Sequence, residues 1–318
     1  MVGIEDFLRH VHKAPRASSI EELTKEAGLS TRSVYRWHRT FGEDFRYFPT
    51  VDFAALGLLN VHLFVRNPRR TWDALPYAIR AEWLLHAPGD RTLYLHCLVP
   101  RVHETDFNLL LDDLRELGLA DRIESVRTDD GWQHLGEARV PPRVCRDAWD
   151  VVARYPLIIP IVFEMLERRR SMPAVWLAVR ERLGARVWEY LPRGARRLPH
   201  NGKRYVRDVL ALLNDTFLFR QHIIRLPDDE RSIPVLLRTT SAPEPSDYPT
   251  ETYRARDEWL VRTRLSLAGL RATLRSPVRA CLYCDEPVAA RFCYELLLDV
   301  RSMEWVFPRD EIIRRISQ

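Results

Sequence analysis

The stretch TVDFAALGLLNVHLFVRN, residues 50–67, decides the fold. Between Gly57 and Asn67 it is a run of apolar and branched side chains that reads as a strand of about nine residues. Just before it, DFRYFPTVDF reads as a short wing or hairpin. After it a helix is expected at about 71–81, then a hairpin in AEWLLHAPGDRTLYLHCLVP with its turn at Pro88, Gly89 and Asp90. HETDFNLLLDDLRELG is an amphipathic helix with Phe107, Leu110, Leu111 and Leu114 on one side, and ADRIESVRTDD supplies a last strand. The order βαββαβ predicts a ferredoxin-like α+β domain: antiparallel strands, helices on one face, and the other face free for pairing.

Upstream lies EAGLSTRSVYRWHRTFGED, residues 26–44. A first helix is expected over 4–13, with Ile4, Phe7, Leu8 and Val11 at helical spacing. Ser18 or Ser19 caps a second, with Glu21 and Glu22 in the turn where the helix dipole favours them. Gly28 allows a tight turn, and Ser30 caps a third helix from Thr31 to about Phe41, with Val34 and Phe41 facing inward. This is helix-turn-helix spacing.

Downstream, EARVPPRV (137–144) reads as a linker, and a second half begins. DVVARYPLIIPIVFEMLERRR and SMPAVWLAVRERLGA are helical, with Pro173 near the start of the latter. KRYVRDVLALLNDTFLFRQHIIRLP is a helix that turns into an extended tail, with Val206, Val209, Leu210 and Leu213 inside. It parallels SVYRWHRTFGEDFRYFPTVDF: a helix, a short acidic turn, then an aromatic-rich extended piece. The strand IPVLLRTTSAP follows, then a Pro-rich loop, a helix expected at 252–274, the strand VRACLYC, the helix PVAARFCYELLLD and the strand MEWVF. The predicted organisation is a winged helix-turn-helix at 1–50, a ferredoxin-like domain at 51–136, a second helix-turn-helix-like domain at 145–228, and a second, altered ferredoxin-like domain at 229–318, so that the second pair is a degenerate copy of the first.

Composition bounds the function. The 318 residues carry 49 Lys+Arg against 44 Asp+Glu, a net charge of +5, and Lys13, Lys25 and Lys203 are the only lysines. Arginine offers bidentate bonding to phosphate and guanine, although a GC-rich or thermophilic host produces the same bias. The N-terminus does not read as a signal peptide, and the longest apolar run, YPLIIPIVFEML, is short and broken by Pro156 and Pro160, so a cytoplasmic protein without a membrane partner is expected. The five cysteines are irregularly spaced, and the lone CLYC at 281–284 lacks the second pair a zinc site usually needs. Cys281 and Cys284 are therefore expected to be buried structural residues, and neither a metal nor a cofactor is expected.

The first 135 residues resemble the leucine-responsive/asparagine-regulator (Lrp/AsnC) family of transcription factors. The likeness lies in AGLSTRSV, in the junction TVDFAALGLLNVHLFV, in the hairpin APGDRTLYLHCLV and in the βαββαβ order. Asp52, Leu56, Gly57 and Leu58 fit the family's D-x-x-x-L-G-L at the start of its regulatory domain. Gly89 and Asp90 match its hairpin, where Thr92 stands in place of a second acid. The resemblance implies winged-helix binding to double-stranded DNA, pairing through the sheet as a homodimer or, in this two-unit chain, an internal pseudo-dimer, and a small-molecule effector, often an amino acid.

On the third helix the candidate base readers are Arg32, Ser33 and Arg36, with Thr31, Tyr35 and Arg39 on phosphates. The plain alternative is a solvated helix face in a non-DNA-binding, protein-interaction module. A second basic segment, Arg196, Arg197, Lys203, Arg204 and Arg207, with Arg193 and His200, is a candidate for DNA or other anions, or an exposed charged loop. No enzyme motif is present, so no catalytic residue is expected. One enzyme class is still carried: siroheme decarboxylases resemble the same family as paired units, and His62, His86 and His96 would be their candidates. Scattered histidines are more often satisfied structural groups.

Overall fold

A computed structural model describes residues 45–69, 72–85, 91–128, 132–135, 138–140, 148–168, 172–191, 219–225, 232–241, 250–273 and 278–317, with isolated positions at 25, 28, 30–33, 36, 204, 206, 208 and 209. In chain order the strands of the first half are β1 (Phe45–Val51), β2 (Leu58–Arg66), β3 (Ala78–Leu85), β4 (Arg91–Pro100), β5 (Arg122–Thr128), β6 (Trp132–Leu135) and β7 (Ala138–Val140). Helix α1 (Glu104–Glu116) lies between β4 and β5. Helices α2 (Ala148–Arg154), α3 (Ile158–Arg168) and α4 (Met172–Leu183) come next. The second half contributes β8 (Phe219–Arg225), β9 (Ile233–Thr239), β10 (Thr250–Arg254), β11 (Trp259–Leu265), α5 (Leu267–Thr273) and β12 (Val278–Val288). It ends in α6 (Tyr294–Leu297), the short hairpin β13 (Leu298–Asp299) and β14 (Glu304–Trp305), and α7 (Arg309–Ser317).

The molecule is mixed α+β. Among the described residues, ten strands make one antiparallel sheet in the order β5-β2-β4-β3-β12-β9-β11-β10-β6-β7. The order holds a repetition. Numbered within its own half, each set of four strands runs fourth, first, third, second: β5-β2-β4-β3, then β12-β9-β11-β10. The halves join where β3 pairs with β12, with Leu84 opposite Cys284. The second half therefore has four strands in this sheet, two of them from the hairpin of β10 and β11 where a single helix over 252–274 is expected from the sequence, whereas the expected strand MEWVF contributes only β14, paired with β13 outside this sheet. Only 267–273 of that span is helical. Likewise the helix expected at 71–81 is reduced to a 3-10 turn at Trp72–Ala74, and β3 begins at Ala78. Part of the expected linker is strand β7, paired with β6, which extends the sheet beyond β10.

Sequence explains several of these elements. Asp52 accepts a hydrogen bond from the Ala55 amide at 3.0 Å and so holds the chain at the start of a 3-10 turn at Ala54–Leu56. Gly57 then takes φ +71°, a left-handed turn that a side chain would strain, and β2 starts at Leu58. The carbonyl of Leu56 receives the Trp305 indole N–H at 3.0 Å, which ties this corner to the C-terminal segment. In α1, Phe107, Leu110, Leu111 and Leu114 are all buried, the stripe expected from their spacing. Pro173 sits in the first turn of α4, where its missing N–H costs nothing.

The sheet has two differently used faces. Leu59, Val61, Leu63, Val65, Leu95, Cys97 and Val99 belong to a large apolar core shared with α1, with α2–α4 and with residues 292–316. Buried Arg182 of α4 binds Glu164 of α3 at 3.2 Å and Glu295 of α6 at 2.8 Å, and its guanidinium lies 4.0 Å from the Tyr294 ring centroid. The other face curls over so that the two halves pack on each other, with Phe64, Leu84 and Tyr94 against Leu236, Tyr253, Leu260, Leu282 and Cys284. Apart from the main sheet, β1 pairs antiparallel with β8, from Phe45 opposite Arg225 to Val51 opposite Phe219.

Candidate functional site

The third helix is visible in part. Gly28 adopts φ +66°, and Ser30 accepts the Ser33 amide on its hydroxyl at 3.1 Å, the turn and cap expected from the sequence. Residues 31–33 and 36 are helical. Arg32 and Arg36 are exposed and four positions apart, so they share one face. Thr31 is exposed as well, whereas Ser33 is half-buried and its hydroxyl lies 2.8 Å from that of Ser30. Tyr35 and Arg39 lie outside the described residues. In the second basic segment, Arg204 is exposed and 3.9 Å from Asp208 one turn on. Val206 and Val209 are buried, as their spacing predicts. Arg196, Arg197, Lys203 and Arg207, like Arg193 and His200, are outside the described residues.

The sheet brings together a set of polar residues that the sequence leaves scattered. Asn60, His62, Phe64 and Arg66 alternate along β2 with the residues of the large core, so they face the opposite half. His62 is fully buried, with Nδ1 2.8 Å from the Tyr94 hydroxyl and Nε2 3.1 Å from that of Thr128. His96 donates from Nε2 to the Asn60 side-chain oxygen at 2.8 Å. The two imidazoles stack at 4.5 Å, and Tyr253 of the second half meets both edge-on at 4.6 and 5.1 Å. Burial holds both histidines well below their ordinary titration range. The neighbouring His96 and Arg80 add to the effect on His62, and Arg80 and Arg262 add to that on His96. His86 lies outside the described residues.

Around this stack run ion pairs between the halves. Arg80 of β3 donates to Glu251 of β10 at 2.5 and 3.2 Å. Arg262 of β11 donates to Glu82 of β3 at 2.5 and 3.3 Å. Arg238 of β9 donates to Glu124 of β5 at 2.7 Å and also to Glu258 at 2.6 Å. Burial alone would raise the Glu251 carboxyl, but the charges of Arg80 and Arg262 hold it at about 2. Cys284 sits beside this set as a buried thiol, pushed up to about 12 by burial and by Glu82. The side chain of Cys281 is outside the described residues. No group of three His, Cys, Asp or Glu able to hold a metal occurs among the described residues, and no described helix is long and apolar enough to cross a membrane.

The histidines could be singled out in the sequence only as alternate residues on strands. Their stacking, and the ion pairs that surround them, depend on which strand of the second half lies opposite. No family model, curated protein or solved structure matches the chain.

Proposed function

We propose that this chain is a DNA-binding transcription regulator of Lrp/AsnC-like type that carries both halves of a dimer in one polypeptide. In this reading each half is a helix-turn-helix region followed by a ferredoxin-like unit. The observation that carries it is the pairing of β1 with β8. Each is the extended segment that follows a helix-turn-helix-like stretch, and antiparallel pairing relates the two by a local two-fold. The repeated strand order supports the same symmetry. A two-fold arrangement of reading helices is what a pseudo-palindromic site requires. Arg32 and Arg36 are the base readers, with Ser33 at the helix start held by Ser30. Thr31, Tyr35 and Arg39 serve phosphates, and Arg196, Arg197, Lys203, Arg204 and Arg207 form a second anion contact.

The buried, hydrogen-bonded state of His62 and His96 favours this reading over a tetrapyrrole decarboxylase, whose histidines must reach a polyanionic substrate. The test is recovery of sheared genomic DNA by the purified protein at two salt concentrations, followed by sequencing, with Arg32→Glu/Arg36→Glu in parallel. Discrete sites that survive the higher salt and vanish in the double variant are expected. Uniform recovery that disappears with salt, or sites unchanged in the variant, would overturn the assignment.

A further inference from the structure

The two helix-turn-helix-like stretches can be set against each other residue by residue. RSVYR (32–36) matches RYVRD (204–208), with Arg and Val in the same places. At the same distance downstream, FGEDF (41–45) matches LNDTF (213–217). Gly42 and Asn214, the residue types that most readily end a helix, coincide in this register. Arg32 then corresponds to Arg204, and Arg36 to Asp208. All four are helical and exposed, and each pair lies one turn apart on one face. Val206 and Val209 are buried, so Arg204 and Asp208 lie on the side away from the core. These two also form an ion pair at 3.9 Å.

We infer that the two half-sites on DNA are unequal: the first helix reads bases, and the second holds the duplex by its phosphates, with Asp208 as the residue that sets the difference. This rests on the regulator reading and deepens it. Arginine donates to O6 and N7 of guanine, both acceptors. A carboxylate offers acceptors only, so Asp208 cannot take the base that Arg36 takes. Next to it in sequence the second copy is the more cationic one. Lys203 and Arg207 stand where the first copy has Thr31 and Tyr35, the positions assigned to phosphates. The pairing of β1 with β8 sets where two half-sites would lie, but it does not make them alike. A homodimer presents identical helices to both halves of its site. Two copies fused in one chain can differ, and at the position of Arg36 they do.

The experiment is selection by the whole protein from a pool of randomised duplexes, followed by binding measurements on the selected duplex. One informative half-site containing guanine is expected. Scrambling that half should weaken binding about tenfold or more, and scrambling the other about twofold or less. Asp208→Arg is expected to turn the selected site into an inverted repeat, and Arg36→Asp to erase the guanine preference of the informative half. Both positions are exposed, and circular dichroism checks that each variant keeps the fold. A wild-type site that is already an inverted repeat, equal losses on scrambling either half, or a selected site that Asp208→Arg leaves unaltered would overturn the inference and leave the regulator reading in place. A pool from which no sequence is enriched would overturn both.

Discussion

Two buried imidazoles set how stability responds to pH. His62 and His96 titrate in the folded chain well below 6.5, the ordinary value they regain on unfolding. As pH falls below that value the unfolded chain takes up protons and the folded chain does not. Their contribution is therefore fully present above about pH 6.5 and is lost as pH falls toward the folded values. The slope is up to about 1.4 kcal/mol per pH unit for each histidine. Glu251 acts lower: its folded value of about 2 lies under the ordinary 4.5, so its contribution is lost only below that. Urea unfolding at pH 7 and pH 5 should show a clear drop in the midpoint at pH 5, and His62→Gln should shrink the difference. An equal drop in the variant would mean that other groups set the slope.

Facing strands hold the halves together by charges that the sequence presents as solvent-facing. Arg80→Met would leave Glu251 buried beside a methionine, at a cost of about 3–5 kcal/mol, whereas Arg80→Met/Glu251→Met should recover much of it. A double-mutant cycle by urea unfolding measures the coupling, and additive losses would show that the pair does not act as one. The same charges explain what was and was not legible. β2, the strands of the β3–β4 hairpin and α1 follow from apolar period and appear where expected, whereas the turn at Pro88, Gly89 and Asp90 lies outside the described residues. The β10–β11 hairpin does not, because Glu251, Arg254, Glu258 and Arg262 give the stretch the charged look of a helix surface. In the fold, Glu251 and Glu258 are buried and paired. The span 71–81 misled differently. Trp72, Leu75 and Ala78 have helical spacing and, like Tyr77, are buried, but Pro76 stands among them, and Ala78 and Ala81 belong to β3 packed between β4 and β12. For the candidate site, the third-helix arginines could be named from spacing alone. The inter-half cluster arises from one strand facing another of distant sequence, which local pattern does not record.

At the scale of the molecule the two halves share rather than adjoin. The sheet runs across the junction from β3 into β12, and the large core takes side chains from Leu56 to Ile316. Residues 292–316, last in sequence, pack on the face of the first half, and Arg182 anchors them through Glu295. Opening either half alone would leave the edge of β3 or of β12 unpaired and expose the polar inter-half face, with Arg80 and Glu251 stripped of their partners. Chains of this length commonly unfold domain by domain, and helix-turn-helix and sheet units joined by linkers would do so. A shared sheet and core predict otherwise for the described elements that form them: one cooperative urea transition, coincident by far-ultraviolet circular dichroism and by tryptophan fluorescence. Trp72, Trp83 and Trp305 report the first-half core and the C-terminal segment that closes it, while Trp259 reports the second half. Separate midpoints for the two signals would show that the halves are held as neighbours and not as one body.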